Sequence, residues 1–97
     1  MSAATDLDLV QAALGGDPRA FERLLDVFEG MAARFVAARG VAPEQTRPEI
    51  RRAVGAIFAS LPHYRGETPL FVFAFGAMHW GLAPRAQSDT VRQEAAP

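Results

Sequence analysis

The stretch Asp17-Pro18-Arg19-Ala20-Phe21-Glu22-Arg23-Leu24-Leu25-Asp26-Val27-Phe28, continued by Glu29-Gly30-Met31-Ala32-Ala33-Arg34-Phe35-Val36-Ala37-Ala38-Arg39-Gly40, decides the fold class. Asp17 is a short acceptor suited to the free N–H groups of a first helical turn. Pro18 has φ fixed near the helical value and no N–H to waste. Behind this start, Phe21, Leu24, Leu25, Phe28, Met31, Ala32, Phe35 and Val36 recur at i, i+3, i+4, i+7 for about five turns, the period of an α-helix with one apolar face. Gly40 is the expected stop, since glycine accepts the left-handed conformation that ends a helix. Such a stripe has to be buried, and the flanking sequence supplies further helices to bury it.

Toward the N-terminus, Thr5 and Asp8 resemble a capping box with Asp in place of Glu. Leu7, Val10 and Leu14 then keep helical spacing until Gly15-Gly16 ends a short first helix. Toward the C-terminus, Val41 to Arg47 reads as a connector. Thr46 and Glu49 form a capping box around Pro48, and Ile50, Val54, Ile57, Phe58 and Leu61 line one face of a third helix that Pro62 closes. The loop His63-Tyr64-Arg65-Gly66-Glu67 leads to Thr68-Pro69, an N-cap followed by an N1 proline, so the spacing predicts a fourth helix over Leu70 to Ala83 with Pro84 as its stop. Leu70-Phe71-Val72-Phe73-Ala74-Phe75 is also rich in strand-favouring residues. The caps, and the lack of any partner strand, favour the helix. The expectation is an all-α protein, a small bundle of about four helices over residues 1–84, with 85–97 as a disordered tail because that segment is polar and has no apolar face.

A chain of 97 residues supports a single core, and 49% apolar with 22% charged residues is ordinary for a globular domain. The formal charge of −1 argues against strong non-specific binding to nucleic acid, which draws on many phosphate contacts. All ten basic residues are arginine and there is no cysteine, which excludes disulfides, thiolate metal sites and thiol catalysis and is compatible with a cytoplasmic location. Met1 to Asp8 carries acids and no basic segment, unlike a signal peptide. The longest apolar run, Leu70 to Leu82, falls short of the roughly 20 residues of a spanning helix.

Catalytic chemistry finds little support. His63 and Glu67 are four apart and His79 is the only other histidine, too few ligands for zinc. No phosphate-binding loop or nucleophile elbow is present, so neither catalytic residues nor cofactors are expected. Two features invite a functional reading. Arg47, Arg51 and Arg52 gather near the N-terminus of the third helix, where positive charge opposes the helix dipole. On the fourth helix, steps of 100° put Leu70, Phe73, Ala77 and Trp80 on one stripe and Phe71, Phe75, Met78 and Leu82 on a second. One stripe can face the core; the other is expected to meet a protein partner or a second copy of the chain.

The segments Asp8-Leu9-Val10 and Ala13-Leu14-Gly15-Gly16-Asp17-Pro18-Arg19-Ala20-Phe21-Glu22-Arg23-Leu24-Leu25 resemble the first helix, glycine-aspartate turn and next helix start of region two of bacterial sigma factors, especially the extracytoplasmic-function group. Ile57-Phe58-Ala59-Ser60-Leu61-Pro62-His63-Tyr64-Arg65-Gly66-Glu67 is similar to that family's third-helix end and the loop after it, and Phe73 stands where the family has a tryptophan. The resemblance spans Leu7 to Pro84. It implies the region-two fold and a transcription-related role, with RNA polymerase and promoter DNA as the family's partners. The departures carry their own implication. Where the family has an acidic stretch and a glutamine-glutamate pair facing the polymerase, this chain has Gln45-Thr46-Arg47-Pro48 and Arg51-Arg52. Phe71, Phe75, Gly76 and Met78 replace basic and polar promoter-reading residues, and the family's helix-turn-helix region has no counterpart before Pro97. The resulting expectation is a degenerate, stand-alone module whose contact residues are Arg47, Arg51, Arg52, Phe71, Phe75, Met78 and Leu82. A divergent initiation factor, and an apolar small-molecule binder using Phe73, Phe75, Met78 and Trp80, are the competing expectations.

Overall fold

The computed structural model describes residues 3–82, and among them the secondary structure is four α-helices and one 3-10 turn, with no strand. The helices are α1 (Ala3–Leu14), α2 (Pro18–Ala38), α3 (Pro43–Ser60) and α4 (Leu70–Gly81), the 3-10 turn being Leu61–His63. The segment with strand-favouring composition is therefore helical. The expected tail and the expected stop at Ala83-Pro84 lie outside the described residues.

α2 starts and stops where its own residues direct. The Asp17 carboxylate accepts from the backbone N–H groups of Arg19 and Ala20 at 3.0 and 3.4 Å, and Gly40, at φ +68°, follows the C-cap residue Arg39. Its inward residues Ala20, Leu24, Phe28, Ala32 and Val36 are buried, and α2 packs against α1 on one side and α3 on the other. Phe58 of α3 stacks on Phe21 with ring centroids 5.0 Å apart and meets Phe28 edge-on at 5.3 Å. These contacts bring the end of α3 beside the first half of α2, so the two helices run antiparallel. Phe28, Leu24, Ile57 and Leu61 are among the largest fully buried side chains, each contributing about 1.5–3 kcal/mol by leaving water.

Helix starts differ from expectation at three places. α1 already includes Thr5, which is therefore a helical residue and not a cap. α3 begins at Pro43, with Ala42 as N-cap, because Pro43 itself offers the fixed φ of a first helical residue. Thr46 then lies within the helix and its hydroxyl donates to the Ala42 carbonyl at 3.2 Å, while Glu49 pairs with Arg52 and does not reach back to a cap. Pro48 sits inside α3 and cannot donate to the Glu44 carbonyl; Glu44 is exposed, so solvent can satisfy that group. α4 starts at Leu70 with Pro69 as its N-cap, so Thr68 is not the cap, and Leu82 is its C-cap.

α4 has no polar cap of its own, and both ends are completed from elsewhere. The Asp6 carboxylate on α1, only 5% exposed, accepts from the Leu70 N–H at 2.9 Å. At the other end Arg39 Nη2, following α2, donates to the Leu82 carbonyl at 3.1 Å. The signs suit the helix dipole, an anion at the N-terminus and a cation at the C-terminus. α4 lies mainly on α3 and approaches it closely: a Cβ on Gly81 would stand 2.4 Å from the Cβ of Ala56.

Candidate functional site

α4 turns a different face inward from the two stripes expected. Leu70, Ala74, Met78 and Leu82 are buried, following an i+4 series that drifts slowly round the helix. Met78 and Leu82, expected on the outer stripe, are thus core residues, and the assignment of both to a contact surface is corrected. The reason lies in the neighbours: α3 crosses close at Gly81 and Arg39 reaches over at Leu82, which together draw the last turn inward. Phe73 and Ala77 are half-buried at the edge of the core.

What remains outside is strongly apolar. Phe71 is 64% exposed, Phe75 56% and Trp80 79%, with Val72 exposed between them. Phe71 and Phe75, two of the expected contact residues, therefore stand on the surface. Phe75 meets Phe35 edge-on with centroids 5.5 Å apart, linking α4 to α2.

Two open grooves flank this ridge. The one toward α3, ≈670 Å³, is lined by Ala56, Ala59, His63, Phe73, Gly76 and Trp80, among others. The one toward α2, ≈470 Å³, is lined by Met31, Arg34, Phe35, Arg39, Phe71 and Phe75, with Met78 at its base. The four residues expected to line a small-molecule pocket are consequently divided: Phe73 and Trp80 belong to the first groove, Phe75 and Met78 to the second.

The arginine group lies elsewhere. Arg47 and Arg51 are exposed on the first half of α3, and Arg52 is held by Glu49 at 2.6 Å in the one ion pair among the described residues. Because Ala56 stands beside Gly81 while Ala59 and His63 share the groove with Phe73, α3 and α4 run antiparallel. Arg47, Arg51 and Arg52 therefore lie beyond the C-terminal end of α4, whereas Phe71 marks its N-terminal end. The two groups do not form one surface.

Tyr64 anchors the loop before α4. It is buried, its hydroxyl donates to the Thr68 carbonyl, and its ring meets Phe73 at 5.0 Å. Burial, and after it the negative charge of Asp6, push the Tyr64 phenol above the ordinary value near 10.0.

The residues that sequence reasoning missed are Asp6, Met31, Arg34, Phe35 and Arg39. A signal for Asp6 was present: Asp6, Leu9, Val10 and Ala13 fall at i, i+3, i+4, i+7, which places an acid on the apolar face of the first helix. For Arg34 and Arg39 the signal was weaker, as both read as ordinary solvated charges. Among the described residues, no group of three or more His, Cys, Asp or Glu could hold a metal ion, and no helix is long and apolar enough to cross a membrane. No family model, curated protein or solved structure matches this chain.

Proposed function

We propose that the chain is a non-catalytic helical interaction module, similar to sigma-factor region two and serving transcription regulation, which engages a protein partner or a second copy through the outer ridge of α4. The observation that carries this reading is the ridge itself: Phe71, Phe75 and Trp80 are each more than half exposed on a helix with no acidic residue and no arginine. A domain that holds several aromatic side chains of one helix in water carries an aggregation liability, and covering them with another protein surface removes it. The exposed Arg47 and Arg51 at the far end of α3 provide a second, separate contact that would govern association rate and specificity more than affinity.

The test uses the tagged chain and its Phe71→Glu/Phe75→Glu variant. Co-purification from the native host, with light scattering of each pure protein alongside, is expected to show a stoichiometric partner or a dimer with the parent chain and neither with the variant. The same partner or dimer retained by a folded variant, or a strict monomer without partner for both chains, overturns the reading. Incubation with core RNA polymerase at low salt forms a further arm, in which co-elution abolished by the double substitution makes the polymerase that partner.

A further inference from the structure

The groove between α2 and α4 has a chemical character of its own. The two helices run in the same direction, since Phe35 meets Phe75 and, further toward the C-terminal end of both, Arg39 reaches Leu82. The groove floor is Met31, Phe35, Phe71 and Phe75, and the charged residues lining it, Arg34 and Arg39, are both positive. On α2 the acids Glu22, Asp26 and Glu29 lie about 140–180° round the helix from Met31, away from the groove. Arg34 uses Nε on the Gly30 carbonyl at 3.4 Å. Arg39 rests 5.5 Å from the Phe35 ring centroid and spends one donor on Leu82. Most of each five-donor guanidinium is left for another group.

From Met31 to Arg39 the groove measures roughly 12 Å, about two turns of a helix. An apolar floor of that length with a basic edge is the complement of a helix carrying large apolar side chains on one face and carboxylates beside them. We propose that the α2–α4 groove docks an acidic amphipathic helix of a partner protein, its apolar face seated on Met31, Phe35, Phe71 and Phe75 and its carboxylates paired with Arg34 and Arg39. This rests on the interaction-module reading and names the chemistry of its partner. A second copy fits the groove poorly, because a two-fold contact sets its arginines against themselves.

The experiment titrates the whole chain against two labelled helical peptides of about three to five turns, identical in their leucine and phenylalanine face and differing only in glutamate or lysine beside it, and reads fluorescence anisotropy at low salt. The glutamate peptide is expected to bind at least about tenfold tighter, the equivalent of two or more effective charge contacts. Added salt narrows the ratio, and Arg34→Glu removes it with helicity retained; Arg39 is left in place because it caps α4. Equal affinity for the two peptides, binding of neither, or an unchanged preference in the charge-reversed variant overturns the proposal. So does saturable binding to phosphatidylglycerol vesicles that Phe71→Ser abolishes, or a dimer that Phe75→Glu dissociates. If the peptides fail while partner capture sensitive to Phe71→Glu/Phe75→Glu persists, the acidic-helix proposal falls and the interaction-module reading stands.

Discussion

α2 and α4 are both helices of one small bundle, and they come to be helical in opposite ways. α2 carries its own N-cap in Asp17, its own stop in Gly40, and charges spread over its outer face. α4 carries none of these. Its N-terminal amide is held by Asp6 from α1 and its C-terminal carbonyl by Arg39 from the end of α2, and its outer face is aromatic. α2 is thus helical by local instruction, whereas α4 depends on the assembled bundle. The helix that depends on the others is also the one whose outer face holds exposed aromatic side chains.

The sharpest way to break this contrast is to remove one cap from each. Asp6→Ala leaves the buried Leu70 N–H without its acceptor and is expected to cost roughly 1–3 kcal/mol in urea unfolding at neutral pH. Asp17→Ala, at an exposed local cap, is expected to cost about 1 kcal/mol. Equal losses would mean that α4 needs its distant cap no more than α2 needs its near one. Next in size is Gly81→Ala. Alanine is the better helix former, yet its Cβ has no room beside Ala56, so the midpoint of thermal unfolding should fall by the equivalent of about 1 kcal/mol. A rise instead would show that α4 can lift away from α3 without loss.

The smallest effect appears only in alkali. The Tyr64 phenol is raised in the folded chain, first by burial and then by Asp6, so the neutral form is favoured there. That contribution is fully present below the unfolded value of about 10 and is lost as pH rises through the folded one. The chain has one tyrosine, no cysteine and no lysine, and arginine stays charged, so Tyr64 is the side chain that titrates across this window. Stability from neutral pH to about 11 should decline less steeply in Tyr64→Phe than in the parent chain, even though the variant starts lower for want of the bond to Thr68. Parallel pH profiles would remove Tyr64 as the cause.

Legibility in the sequence followed the same division. α2 could be read to the residue at its start, because Asp17, Pro18 and the apolar repeat act within a few positions of one another. The start of α3 was misread because two prolines, Pro43 and Pro48, each resemble a first helical residue, and only the backbone shows that the earlier one serves. The inward face of α4 was misassigned because every residue on it is apolar or small, and periodicity cannot choose a side when both are greasy. The choice comes from Ala56 against Gly81 and from Arg39 at Leu82, contacts between positions far apart in the chain. For the surface, Phe71 and Phe75 were legible as unaccommodated aromatics, and Arg34 and Arg39 were not, because their role depends on which helix lies alongside.

The hydrogen bond from Leu70 to Asp6 joins residues separated by 64 positions. During synthesis the ribosome releases α1, α2 and α3 before α4. The most apolar of the four helices thus emerges after α1, which carries its anchoring carboxylate. Placed ahead of α1, the same helix would leave the ribosome before its anchor did.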